Sequence, residues 1–477
     1  MIRVYLDWNI FSYLKQFKET KEPYISLNRN LLQNTGRILI PYSSAHLTDL
    51  VNGDNSTEKA KQEISTDLQY LEQLTSQHCI QYDYKNKKTY PEVYNIQDYY
   101  EQIKDSREYE KRSVDELFSF SNELADLNTS LVDIFKNLPT GVDFFKLNEM
   151  LKEWGVFQII FDQTRKQDNY YNLLSDTRDL LYQYNNDPKV YTGLRNRSLK
   201  VLGINHDYTK DENPIETISN KLLRSPFKKS FNEFVEQILG VISKNEPSGF
   251  DIFTVNYLML DYLGYYRDKK FRNLTQDSFH AYYGAHCDFF ITDDENTYKK
   301  AKALYKYFNI ETEVCKSTEF NSSFFGKVLL NSSVKLVDSI TETIGSSFVA
   351  MNYHDDNFNP VDIYKLKHFI ASYFNRLQVT HDIGGTKYLY LYKRTKNYSS
   401  FYFWKEIETI VNEIVKEFGV DNNSRSVYIR ETENAEISNN QWKGRVWKGD
   451  KTEIELQMKE SPFNLTLSFA INLYRNI

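Results

Sequence analysis

Two hydrophobic rhythms alternate along the chain. At the start, Ile2, Val4 and Leu6 alternate with more polar neighbours, the period of a β-strand, and the strand runs into Asp7, Trp8, Asn9 and the apolar pair Ile10 and Phe11. Residues 1–51 read strand, helix, strand, helix, with RILIPYS as the second strand and SSAHLTDLVNG as the second helix. Ser43 or Ser44 is a fitting N-cap, because its hydroxyl can accept a backbone N–H that the first helical turn leaves unpaired. Residues 55–250 are polar and helical in pattern, with few strand signals; 117–138 and 231–244 carry apolar residues at helical spacing. Residues 250–268 form an apolar segment that predicts a buried helix. A helix DSFHAYYGAHC, a strand DFFIT (288–292), a helix at 295–308 and a short strand IETEV follow. Strand–helix alternation of this kind predicts a parallel sheet.

Beyond about residue 330 the rhythm changes. YLYLYKRT (388–395) and SVYIRET (426–432) read as strands. Between them, Ile407, Ile410, Val411, Ile414 and Phe418 define one helix face that ends at Gly419, a suitable C-cap. Phe463, Leu465, Leu467, Phe469, Ile471 and Leu473 alternate without a break, predicting a half-buried strand. The C-terminal region is therefore expected to be antiparallel α+β, with Gly384 and Gly385 in a hairpin turn.

Composition narrows the function classes. A chain of 477 residues with 40% hydrophobic content predicts two to four domains with sizeable cores. With 65 acids against 59 bases, the net charge of −6 excludes a basic nucleic-acid coat, so any nucleic-acid contact must be a local patch. The 37 tyrosines and 31 phenylalanines are explained more readily by compositional bias than by base stacking. Cys79, Cys287 and Cys315 are widely separated and form no CxxC, which argues against a disulfide framework or a cysteine zinc site. No signal-peptide pattern or run of ~18 apolar residues occurs, so a soluble, cytoplasmic protein without a membrane association is expected. P-loop, GxGxxG, GxSxG and HExxH motifs are absent.

What remains is a set of acids at element ends. Asp7 stands at the end of the first strand with Asn9 two residues on. Asp49 lies in AHLTDL, Asp277 in DSFH, and Thr292-Asp293-Asp294 closes the strand DFFIT. In order and element context this set resembles the PIN-like nucleases over residues 1–51 and about 250–315. The resemblance implies a parallel α/β nuclease core with Asp7, Asp49, Asp277 and Asp294 as catalytic and metal-binding carboxylates. Asn9, Thr292, Asp293 and Asp288 are implied as supporting residues. The separation of 277 − 49 = 228 residues exceeds what a compact family member needs, so the expected layout is a core from 1–51 plus 250–325, a helical insertion at 52–249 and a C-terminal α+β domain at 326–477.

The chemistry can be argued from the side chains. Phosphodiester hydrolysis needs an activated water and charge relief on the leaving oxygen, which one or two divalent ions supply. An all-carboxylate donor set suits Mg²⁺ or Mn²⁺ better than Zn²⁺. Asp49 is expected either to bind the metal or to orient its water. His46 and His280 lie on helices beside site acids, where packing is the commoner role of a histidine. Single-stranded RNA is the substrate the resemblance implies, with Arg195, Arg197, Lys200, Lys228 and Lys229 as candidate phosphate contacts and the C-terminal domain as a candidate surface for a regulatory protein partner. Two other classes remain open: a non-catalytic PIN-like scaffold that binds RNA or protein, and a DNA flap-type nuclease.

Overall fold

In the computed structural model, residues 1–53, 57–111, 184–203, 213–226, 228–242, 246–324, 349–355, 359–381, 387–393, 401–439, 441–448, 452–461 and 464–473 are described, with a few isolated positions between 338 and 345. The central sheet is parallel. Strand β1 (Ile2–Leu6) pairs with β2 (Ile38–Leu39) on one side and β6 (Phe289–Ile291) on the other, and β6 pairs with β7 (Glu313–Cys315), giving the order β2-β1-β6-β7.

All five residues of β1 are buried, as expected where helices cover both faces of a parallel sheet. The two-residue period sorts the side chains. Ile2, Val4, Leu6, Phe289 and Ile291 enter one core with helices α1 (Trp8–Phe17), α2 (Tyr24–Gln33) and α3 (Ser44–Asn52). Tyr5 and Phe290 enter the opposite core. That second core includes α10 (Phe271–Gly284) and α11 (Glu295–Phe308). The apolar pattern at 37–43 is not one strand: it divides into β2 and β3 (Tyr42–Ser43), which join different sheets.

The segment read as wholly helical contains strands. After α4 (Glu58–Thr75), β4 (His78–Asp83) extends β3 in parallel, and β5 (Lys88–Val93) returns antiparallel before α5 (Ile96–Lys111). Asp83 makes the turn, its carboxylate accepting the backbone N–H groups of Lys85 and Asn86 at 2.8 and 3.0 Å. This local side-chain-to-backbone bonding offers an alternative to helix. Residues 117–138 lie outside the described residues. Helices α6 (Pro188–Leu202), α7 (Pro214–Arg224), α8 (Phe231–Ile242) and α9 (Gly249–Tyr262) bury Tyr191, Leu199, Ile218, Leu222, Phe231 and Phe253 in the same core as Tyr5 and Phe290. They are therefore packed on the sheet. The apolar stretch at 250–268 is helical only to Tyr262.

The helix carrying Asp277 begins at Phe271, six residues before the expected start, so Asp277 lies inside it. Gly284 ends α10 against the sheet. A Cβ there would stand 2.7 Å from Phe290 Cγ and 3.0 Å from Tyr305 Oη. Gly284→Ala is expected to destabilise by about 1–3 kcal/mol through overpacking, measurable as a lower denaturant midpoint with an unchanged slope.

After α12 (Ser317–Phe324), strands β8 (Val349–His354), β9 (Pro360–Ile370), β10 (Phe374–His381), β11 (Lys387–Tyr392), β12 (Arg445–Lys448), β13 (Thr452–Ser461) and β14 (Asn464–Leu473) form a seven-stranded antiparallel sheet. Its order is β12-β13-β14-β11-β10-β9-β8. Helix α13 (Trp404–Phe418) packs Ile407, Ile410, Val411 and Ile414 onto it and ends at Gly419, whose φ of +80° suits glycine. Gly384 and Gly385 fall outside the described residues, between the antiparallel partners His381 and Lys387. SVYIRET is not a strand: Arg430 begins α14 (Arg430–Ser438), and the Glu433 carboxylate accepts the Ile429 N–H at 2.9 Å. Among the described residues no helix is long and apolar enough to cross a membrane.

Candidate active site

The strand order places a crevice between β1 and β6. The chain leaving β1 crosses to β2, and the chain leaving β6 crosses the other way to β7. In open α/β sheets, ligands bind beyond the carboxyl ends of the strands at such a switch point. Asp7 follows β1 directly, and Thr292, Asp293 and Asp294 follow β6.

Asp7 is buried, and its Oδ2 accepts the Thr292 hydroxyl at 2.7 Å. The Asp7 N–H donates to Ile291 O at 2.9 Å, which stitches the two strand ends together. Burial pushes the Asp7 carboxyl above its ordinary range. His280 and the Thr292 hydrogen bond oppose that shift, and the charges of Asp49 and Asp294 add to it. Asp277 is held well above the ordinary range, first by burial and then by the charges of Asp268, Asp7 and Asp294, with Lys300 opposing. The four sequence-identified acids therefore belong to one electrostatic cluster centred on Asp7. Asp294 also caps α11, accepting Thr297 N–H at 2.7 Å, which fixes the carboxylate at the helix start. Among the described residues, no three His, Cys, Asp or Glu side chains already form a group that could hold a metal ion. The acids meet as interacting charges.

Asp49 comes from α3 through a built hinge. The Ser43 side chain and the His46 ring form reciprocal caps at the start of this helix. His46 is fully buried; its Nδ1 accepts Ser43 N–H at 3.1 Å, so Nε2 carries the proton and donates to Leu6 O at 2.8 Å. Burial, aided by the neighbouring His280, holds its pKa well below the ordinary value. His46 is thus a neutral brace between α3 and the end of β1. His280 differs. Its Nε2 stands 2.9 Å from Asp49 Oδ2 and 4.0 Å from Asp7 Oδ1, and its Nδ1 is 3.0 Å from the Tyr5 hydroxyl. Burial disfavours its positive charge, but the Asp49 hydrogen bond and the charges of Asp7 and Asp49 outweigh this and raise its pKa.

A second network stands behind Asp277. Lys300, fully buried, pairs with Asp261 at 3.2 Å and with Asp268. Asp261 also accepts the Tyr191 hydroxyl at 2.6 Å and Arg195 Nη1 at 2.7 Å. Sequence reasoning singled out none of Asp261, Asp268 and Lys300. One signal for Lys300 was available: it shares the face of Thr297, Ala301 and Leu304 on α11, and that face is buried.

The supporting residues divide. Thr292 touches Asp7. Asp293 faces the other way, accepting Tyr24 Oη at 2.9 Å and the Ser317 N–H at 2.9 Å, so it ties α2 and α12 to the strand end. Asn9 is solvent-exposed in the first turn of α1. Asp288 lies at the opposite end of β6, where it accepts Arg3 N–H at 2.8 Å and Lys393 Nζ at 2.6 Å. It does not support the crevice acids: a residue that opens a parallel strand and one that closes it are at different ends of the sheet.

The basic candidates also divide. Arg195 is buried, bonded to Asp261 and to Asp268 O, and cannot serve as a surface phosphate contact. It follows Tyr191 and precedes Leu199 at four-residue spacing on the inward face of α6. Lys200 and Lys228 are exposed, and Lys229, half-buried, donates to Gln237 Oε1 at 2.6 Å. The side chain of Arg197 is outside the described residues.

No family model, curated protein or solved structure matches the chain.

Proposed function

We propose that the protein is a divalent-cation-dependent nuclease of PIN-like type that hydrolyses phosphodiester bonds in single-stranded RNA. One observation carries the reading: Asp7, Asp49, Asp277 and Asp294, from four separate elements, interact as charges at the switch-point end of a parallel sheet, where two of them are pushed above the carboxylate range by burial and mutual repulsion. Acids that strain one another at a ligand-binding position mark a candidate site.

The donor chemistry fits Mg²⁺ or Mn²⁺. The set is all oxygen, and hard divalent ions prefer oxygen ligands. Asp7, Asp277 and Asp294 would hold the ion, and its charge would offset the repulsion among them. When bound, such an ion lowers the pKa of its water and relieves charge at the phosphate. Thr292 fixes the Asp7 rotamer through its hydroxyl, and the α11 N-terminus fixes Asp294. RNA, as opposed to DNA, follows from the resemblance of the acid motifs to PIN-like nucleases.

The test is cleavage of a labelled single-stranded RNA, with matched DNA in parallel. Cleavage is expected with Mg²⁺ or Mn²⁺ and should be lost in EDTA and restored by excess Mn²⁺. EDTA-insensitive cleavage would overturn the cation role. RNA binding without cleavage under any divalent ion would place the chain among non-catalytic scaffolds, and cleavage confined to branched DNA would place it with flap-type nucleases.

A further inference from the structure

We propose that His280 is a positioning residue whose Nε2–H holds Asp49 at the rim of the acid set, so that Asp49 orients water or substrate while Asp7, Asp277 and Asp294 alone bind the cation. The inference rests on the nuclease reading and assigns Asp49, a family-type metal ligand by sequence, a different task.

The geometry distinguishes the four acids. Asp7, Asp277 and Asp294 have no cationic side chain within hydrogen-bond distance among the printed contacts of the described residues, whereas Asp49 Oδ2 is engaged by an imidazole N–H at 2.9 Å. The imidazole cannot easily turn away, since His280 is 1% exposed and its Nδ1 is bonded to Tyr5 Oη at 3.0 Å. Tyr5 is itself buried and bonded to Ser43 Oγ at 2.7 Å. The chain Ser43–Tyr5–His280–Asp49 therefore runs from a helix cap to the site through side chains with fixed rotamers. Its hydroxyls let it accommodate either direction of bonding, because Tyr and Ser each donate and accept. A carboxylate oxygen that accepts a hydrogen bond from a neighbouring imidazole is less available as a ligand, but it is well placed to accept a proton or a hydrogen bond from water with its other oxygen. His280 also lies one helical turn from Asp277 on α10, so the same helix supplies a cation-binding carboxylate and the group that restrains Asp49. The neighbouring His46 bonds only to backbone and Ser43 at its two nitrogens, apart from the 3.5 Å approach of Tyr5 Oη, and it has no such reach toward the acids.

Two measurements on the full chain test this: Mn²⁺ affinity, from the free-ion electron paramagnetic resonance signal, and single-stranded RNA cleavage. Asp7→Asn should weaken Mn²⁺ by at least about tenfold. Asp49→Asn should leave Mn²⁺ affinity within about twofold while lowering kcat by roughly tenfold or more. His280→Phe should reproduce the Asp49→Asn pattern, and the double variant should be no slower than the worse single variant, because residues that act as a unit are not additive. His280→Gln, which keeps an N–H donor toward Asp49, should recover part of kcat, and Tyr5→Phe should give a smaller loss in kcat with KM unchanged. A tenfold loss of Mn²⁺ affinity in Asp49→Asn would overturn the proposal while leaving the nuclease reading intact. Multiplicative losses in the double variant would do the same. An unchanged Mn²⁺ affinity in Asp7→Asn would overturn the nuclease reading, and this proposal with it. Should His280→Phe fail to fold, the Asp49→Asn and His280→Gln comparison decides the matter by the same criteria.

Discussion

Asp7→Asn is expected to abolish RNA cleavage, lowering the rate by about a thousandfold or more, while raising the thermal stability of the protein without divalent ions at neutral pH. The two effects share one cause. The substitution keeps the shape of the side chain and leaves an acceptor for the Thr292 hydroxyl, but it removes the charge at the centre of the acid cluster. A charge-dependent ligand position that loses its charge should lose the chemistry supplied by the ion. The stability gain follows from the direction of the pKa shifts. Asp7 and Asp277 have folded-state values raised above the unfolded ones, by burial first and by neighbouring carboxylates next. Groups of this kind favour the folded state when protonated. Their contribution is fully present below the ordinary carboxylate range and is lost as pH rises through the folded values. At pH 7 the wild-type chain carries that loss, and Asp7→Asn escapes part of it. The Tm of the cation-free variant should exceed that of wild type by roughly 2 °C, the scale of about a kcal/mol in a large chain. The difference should vanish near pH 3. Added Mn²⁺ should stabilise wild type and leave the variant's Tm nearly unchanged. A variant that cleaves RNA at the wild-type rate, or melts lower at pH 7 and equally at pH 3, would contradict this account.

The sequence carried the acids but not their partners, for a physical reason. Asp7, Asp277 and Asp294 were legible because strand ends and helix starts are written locally, in the two-residue alternation of Ile2–Leu6 and in the T-D-D that follows DFFIT. The central parallel sheet was legible from the same alternation. His280 and Lys300 were not, since their roles depend on Tyr5, Asp49, Asp261 and Asp268, which are brought to them from distant segments. Arg195 shows the converse. In YTGLRNRSLK it reads as one cation of a basic run, yet its position one turn after Tyr191 turns it inward onto Asp261. The hairpin of β4 and β5 was hidden by polar residues: Gln81, Asp83, Lys88 and Glu92 dilute its alternation, and the pairing of β4 with β3 that stabilises it spans more than 30 residues. SVYIRET failed in the other direction. Its β-branched and aromatic residues favour a strand, but a carboxylate cap from Glu433 turns the chain into a helix at Arg430.

The largest stability effect is expected at the other end of the sheet, from Arg3→Met. Arg3 sits on β1 with 1% of its surface exposed, and its guanidinium donates to both carboxylate oxygens of Glu406, at 2.8 and 2.7 Å, and to Phe401 O at 2.7 Å. The rings of Phe401 and Phe403 flank it at 4.9 and 5.4 Å. Glu406 is the third residue of α13, and it also accepts Phe403 N–H at 2.8 Å, so this one carboxylate joins the first strand of the parallel sheet to the helix that covers the C-terminal sheet. Burial alone would raise the Glu406 pKa; the charges of Arg3 and Lys393 outweigh it and hold the group at about 2. Removing Arg3 leaves a buried carboxylate with only Lys393, at 3.8 Å, as a counter-charge. Breaking a buried pair from one side costs about 3–5 kcal/mol, and that is the expected loss in Arg3→Met at pH 7. The sign with pH is fixed by the depressed value: Glu406 contributes stability above its ordinary pKa, and this is lost as pH falls toward about 2. Without Arg3 the carboxyl should protonate at higher pH, so the deficit of the variant should shrink between pH 7 and pH 4. Arg3→Met combined with Glu406→Met, which replaces the pair by apolar groups, should recover much of the loss. Denaturant unfolding at the two pH values, followed by intrinsic fluorescence, measures all three. A deficit in Arg3→Met that does not change with pH, or a double variant as unstable as the single, would show that Arg3 acts by packing between Phe401 and Phe403 and that its charge is not what holds the two sheets together.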